Sequence, residues 1–109
     1  MLGFDLTEEQ QALVETARKF ARERIAPVAA ECDLHEKFPE DVFREAWDLG
    51  LANCEVPESC GGLGLGCVDQ SLIIEELNWG CAGFSTSLGG NALAATPLLL
   101  AGSDEQKRE

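Results

Sequence analysis

The chain has 109 residues, with 20 acidic against 8 basic side chains and a formal net charge of −12. That length holds one domain at most, and so acidic a surface argues against nucleic acid or an anionic membrane face as a partner. Hydrophobic residues make up 45% of the chain, without repeats or low-complexity tracts, so one packed core is expected rather than disorder.

Residues 1–4 run straight into Asp5 and an acidic helix, without the basic and apolar regions of a secretory signal. Thr7-Glu8-Glu9-Gln10 is a capping box, in which the Thr hydroxyl and the Gln side chain satisfy each other's backbone N–H groups. Apolar residues then recur at Leu13, Ala17, Phe20, Ala21 and Ile25, a helical stripe. Pro27 is expected to kink or stop this helix, with Val28-Ala29-Ala30 carrying one more turn toward Asp33. After a polar connection at 34–38, Pro39 suits the first turn of a second helix. Val42, Phe43, Ala46, Trp47 and Leu49 form its expected buried face, and Gly50 its stop. Residues 51–57 read as a short extended stretch.

Gly61-Gly62-Leu63-Gly64-Leu65-Gly66 invites comparison with dinucleotide-binding loops, which need G-x-G-x-x-G between a strand and a helix. Here the spacing is G-x-G-x-G from Gly62, no buried strand precedes it and no Lys follows, so a structural turn is the expected role. A third helix spans about 68–78, with Leu72, Ile73 and Leu77 at helical spacing and Gly80 ending it. Residues 82–101 read as a fourth helix, weakened at Gly89-Gly90 and Pro97, where a break is expected if anywhere. Ser103-Asp104-Glu105-Gln106 repeats the capping-box pattern. A helix begun so close to Glu109 cannot stand alone, which suggests a piece of a longer chain.

Residues 77–103 form a run of 27 without a charged side chain, and no Lys or Arg occurs between Arg44 and Lys107. A solvated helix ordinarily carries salt-bridging charges. The run therefore lines an apolar cavity, packs against other protein or lies in a membrane. Five Gly, three Ser, two Thr, Asn78, Asn91 and Pro97 argue against a membrane span, as does the lack of basic flanks on the N-terminal side.

The cysteines at 32, 54, 60, 67 and 81 are odd in number, and no pair is spaced C-x-x-C. With His35 as the lone histidine, no zinc site is expected. The thiols suit a reducing compartment and small buried positions; Cys67 and Cys81, flanking the third helix, are the pair to watch. Adjacent Glu75 and Glu76 point about 100° apart on a helix and form no acid–base dyad. Glu45 and Asp48 read as a solvated edge. No nucleophile–base–orienter set is visible.

Taken in order, Thr7-Glu8-Glu9-Gln10, Ala17-Arg18-Lys19-Phe20-Ala21, Ile25-Ala26-Pro27, Ala46-Trp47-Asp48-Leu49-Gly50-Leu51, Val56-Pro57-Glu58, Gly61-Gly62-Leu63-Gly64 and Glu75-Glu76-Leu77 resemble the N-terminal all-α domain of acyl-CoA dehydrogenases. The resemblance runs over 1–109 and is nearest to the medium-chain-like branch, through Pro57-Glu58-x-Cys60-Gly61-Gly62-Leu63-Gly64-Leu65-Gly66. It implies an all-α helical bundle. It also implies a parent enzyme that oxidises the Cα–Cβ bond of an acyl-CoA thioester. A glutamate removes the α-proton, the β-hydrogen leaves as hydride to FAD, and electrons pass on to an electron-transfer flavoprotein.

Such enzymes add a middle β-domain and a C-terminal bundle, usually in a homotetramer. The flavin-binding segments and the catalytic glutamate belong to those parts and have no counterpart here. No catalytic, cofactor-binding or metal-binding residue is therefore expected in this chain. The compartment implied is the cytoplasm in bacteria or the mitochondrial matrix in eukaryotes. By resemblance, the helix matching 82–93 lies along the acyl chain, with Ser85, Thr86, Gly89 and Leu93 as substrate-binding positions. Medium-chain enzymes carry larger polar residues where Ser85 and Gly89 stand, closing the pocket floor. The alternative is a free-standing helical interaction module without catalysis.

Overall fold

Thr7 opens the first helix in the way its sequence dictates. Its hydroxyl accepts from the Gln10 backbone N–H, and Gln10 Oε1 accepts from the Thr7 N–H, both at 3.1 Å. The computed structural model describes residues 3–108; Met1, Leu2 and Glu109 lie outside the described residues, and so do the outermost ends of the domain expected over 1–109. Helix α1 (Glu8–Phe20) passes through one π-turn at Ala21–Ile25 into α2 (Ala26–Leu34) as a single rod. In that turn the Ala26 N–H reaches the Ala21 carbonyl, five residues back. Pro27 thus neither stops nor breaks the rod. The widened turn immediately before it absorbs the missing N–H and the bulk of the ring, which in a regular helix would strike the carbonyl four residues back.

Helix α3 (Glu40–Asp48) begins after Pro39, which stands at the N-cap position rather than in the first turn and makes no side-chain capping bond. It ends in a Schellman motif: Gly50, at φ +77°, donates to Trp47 O, and Leu51 donates to Ala46 O, each at 2.9 Å. Val42 and Ala46 are buried and Phe43 is partly buried. Trp47 and Leu49, expected on that buried face, are instead 52% and 50% exposed. The core stripe is Val42 with Ala46; Trp47 follows Ala46 about 100° round the helix, and Leu49 already lies past the helix end.

Residues 51–57 are bends and turns rather than an extended stretch. Their carbonyls pair with the glycine loop: Gly62 N–H donates to Pro57 O, Gly64 N–H to Val56 O and Leu65 N–H to Cys54 O, at 3.1, 2.8 and 2.8 Å. A Cβ on Gly62 would lie 2.0 Å from the Val56 carbonyl oxygen, so the chain folds back here only because that residue has no side chain.

Helix α4 (Cys67–Gly80) buries Ile73 and Leu77, and Gln10 Nε2 ties α1 to it through Asp69 Oδ1 at 2.9 Å. Gly80 lets α4 close on the π-turn, since a Cβ there would sit 3.1 Å from Ala21 O. Helix α5 (Ala82–Ala101) then runs 20 residues without a break at Gly90 or Pro97. Burial of Phe84, Ser85 and Leu88 holds its first half against the core, which offsets the helix weakness of the glycines. The final capping box forms around Ser103 and Gln106.

Among the described residues the architecture is all-α, with no strand. Phe20, Ile25, Val42, Ile73, Leu77 and Phe84 dominate the core, and Phe84 packs tilted against Phe20 and edge-on against Phe43, with ring centroids 6.4 Å apart in each pair. Three arginines of the long first rod reach three places: Arg18 pairs with Glu76, Arg24 with Glu45, and Arg22 lies 5.2 Å from the centre of the Trp79 ring. The two adjacent glutamates thus divide as helical geometry requires, with Glu76 turned to α1 and Glu75 to solvent.

Candidate functional site

The elbow at Gly80 and Cys81 sets the direction of α5. Cys81 is extended, at φ −169° and ψ 116°, and α5 starts at the next residue. With Phe84 and Leu88 seated in the core, the neighbouring helix face looks onto α4 and the loop that follows α3. Between them lies an open groove of about 290 Å³. Leu51, Ile74, Leu77, Leu88, Ala92 and Leu93 supply much of its apolar wall. All four positions singled out in the sequence border this groove: Ser85, Thr86, Gly89 and Leu93.

Their surroundings differ. Ser85 is 6% exposed. The Thr86 hydroxyl donates to Ala82 O at 2.8 Å. Gly89 faces open space, because a Cβ built on it meets no atom within 4 Å. It therefore does not serve close helix packing within the described residues, unlike Gly80. Leu93, 81% exposed, stands at the open rim.

The sequence did not point to Glu55, Gln70 and Asn78, which also border the groove. Glu55 lies in an irregular segment with no periodicity to read, and the other two look like ordinary polar helix positions. Among the described residues, Glu55 is the only charged one on the groove wall. Burial, followed by the neighbouring Glu55 charge, pushes the Cys54 thiol up to about 11. Gln70 and Asn78 spend their amide groups on Leu65 O and Ile74 O, each at 2.8 Å.

Two further hollows do not follow the charge-free helix in this way. One of about 200 Å³ lies between α2 and the start of α5, and a broad one of about 630 Å³ lies between α1 and the glycine loop. No group of three metal-ligating side chains forms among the described residues. No helix is long and apolar enough to cross a membrane among them.

The residues present do not fit a flavin pyrophosphate. Among the described residues the glycine loop is the one candidate cradle, and the N–H groups of Gly61, Gly62, Gly64 and Leu65 are all bound to carbonyls of residues 54–58. With those donors spent, the loop offers no nest for a phosphate.

An all-α domain with an uncharged helix laid along an apolar groove defines the class. The particular family follows from comparison. The family model for the acyl-CoA dehydrogenase N-terminal domain matches residues 7–109, and the chain belongs to that family. A probable medium-chain specific acyl-CoA dehydrogenase 2, mitochondrial, of Caenorhabditis briggsae is 40% identical over 108 residues, covering 99% of this chain and 26% of the relative. The short-chain specific acyl-CoA dehydrogenase, mitochondrial, of Sus scrofa is 36% identical over 106 residues, covering 96% and 26%.

Among solved structures, a chain from a study of the electron transferring flavoprotein of Acidaminococcus fermentans superposes with a TM-score of 0.90 at 32% identity, covering 98% of this chain and 28% of that one. An acyl-CoA dehydrogenase complexed with FAD from Bacillus anthracis gives 0.81 at 28% identity, covering 99% and 19%. The chain spans about a quarter of the length of the curated relatives it matches.

Proposed function

We propose that this chain is the N-terminal domain of an FAD-dependent acyl-CoA dehydrogenase, and that the α5 groove is one wall of its acyl pocket. The observation that carries the reading is the groove itself. An unbroken helix without charge places Ser85, Thr86, Gly89 and Leu93 on one largely apolar groove that, among the described residues, is bordered by no Lys or Arg and by Glu55 as its one charged side chain. A cation set beside a hydrocarbon chain would cost several kcal/mol in lost solvation. The chain's part in the reaction is to hold the acyl group and keep water from it. FAD, held by further domains, supplies the hydride acceptor. The partners on this reading are an acyl-CoA substrate, an electron-transfer flavoprotein and three further copies in a homotetramer. The compartment is the bacterial cytoplasm or the mitochondrial matrix.

Small residues at positions 85 and 89 leave the groove floor open, so the enzyme accepts longer or bulkier acyl groups than a relative with that floor filled. The reading is tested by mixing the purified full-length protein with acyl-CoA thioesters without oxygen. Bleaching of bound flavin absorbance is the expected result. A protein that binds no flavin, or whose flavin no acyl-CoA bleaches, would show the reading wrong and favour a non-catalytic helical module.

A further inference from the structure

Six serines and threonines lie inside α-helices, and five of them behave alike. Thr16, Ser71, Thr86, Ser87 and Thr96 each turn the hydroxyl back onto the carbonyl four residues earlier, at 2.7 to 3.0 Å. Ser85 is the exception. The carbonyl four residues before it, Cys81 O, takes only the Ser85 backbone N–H, at 3.0 Å. The hydroxyl has no hydrogen-bond partner among the described residues, although Ser85 is more than nine-tenths buried and borders the groove. A second unmatched group borders the same groove: Glu55 Oε1 is buried without a partner, while Oε2 has only the Cys54 thiol at 3.7 Å.

We propose that the α5 groove contains a polar subsite centred on the Ser85 hydroxyl, and that the acyl group it takes carries a hydroxyl at its distal end. This rests on the acyl-pocket reading above and names the substrate class more closely. An alkyl end pushed into the groove strips water from Ser85 and returns nothing, which is costly for a buried polar group. A hydroxyl both donates and accepts, so it can satisfy Ser85 whichever way that rotor turns. The Glu55 carboxylate adds a polar border that a plain hydrocarbon cannot match. Sites with a hydrogen-bonding group of this kind discriminate against analogues that lack the matching one, because the group is then left unpaired. The open space at Gly89 gives the substituent room.

The test uses the full-length protein, a length series of straight-chain acyl-CoA thioesters and the matching ω-hydroxyacyl series. At the length where the hydroxyl reaches Ser85, kcat/KM should favour the hydroxylated member by about tenfold, mostly through KM. Ser85→Ala should bring that ratio close to one. Alanine favours a helix, and the hydroxyl it removes has no partner, so the variant should melt no lower than the parent. Two series that run in parallel, or a Ser85→Ala variant that keeps the preference, overturn the subsite while leaving the dehydrogenase reading intact. A full-length protein that oxidises neither series overturns both.

Discussion

Cys54 illustrates how a single residue's surroundings set its chemistry. Its thiol is buried beside Glu55, and its pKa rises to about 11, whereas Cys67, on the first turn of α4, is exposed. With iodoacetamide at pH 8, Cys67 should label first and Cys54 last, because the thiolate is the reacting form. Preferential labelling of Cys54 in peptide maps would contradict the burial. The same shift gives a pH dependence. The unfolded thiol loses its proton near pH 9, the folded one near 11, so unfolding releases a proton between those values and stability falls as pH rises through that window. Cys54→Ala should flatten this alkaline decline in urea midpoints measured from pH 8 to 11. An unchanged slope would place the titration elsewhere.

At the scale of elements, the glycines mark where backbone must meet backbone. Gly62→Ala forces a methyl onto the Val56 carbonyl and should cost about 3 kcal/mol by denaturant midpoint, the upper range for overpacking. A change below about 0.5 kcal/mol would mean the loop relaxes freely. Gly80→Ala, with contacts of 3.1 to 3.2 Å, should be milder. Much of this was legible in the sequence. The two capping boxes, the Gly50 stop and the structural role of the glycine loop rest on local chemistry, and so did the position of α5. What could not be read depended on tertiary position. The π-turn before Pro27 keeps the rod whole, Trp47 turns outward, and Arg18, Arg22 and Arg24 each find a distant partner. The groove was legible in its α5 half, whose spacing is helical, but not in Glu55, which comes from an aperiodic turn.

At the scale of the molecule, the domain is a slab of 42 × 40 × 18 Å with a radius of gyration of 14.9 Å, against about 13 Å for a compact domain of this length. Its far end exposes Leu93, Leu98 and Leu100 along α5. The 109-residue chain expressed alone should therefore bind ANS and self-associate in sedimentation. A monodisperse monomer with no ANS signal would contradict this. The central claim is that the α5 groove holds the acyl chain, and Gly89 tests it most directly, since a side chain there has space to enter and nothing to strike. The measurement is kcat/KM across a straight-chain acyl-CoA length series for the full-length protein and its Gly89→Glu variant. Each buried methylene contributes about 0.8 kcal/mol, or roughly fourfold in binding, so blocking the floor should move the optimum to shorter chains while the shortest substrates lose little. Two profiles that peak at the same length, or a variant depressed equally at every length, would contradict the placement of the acyl chain in this groove.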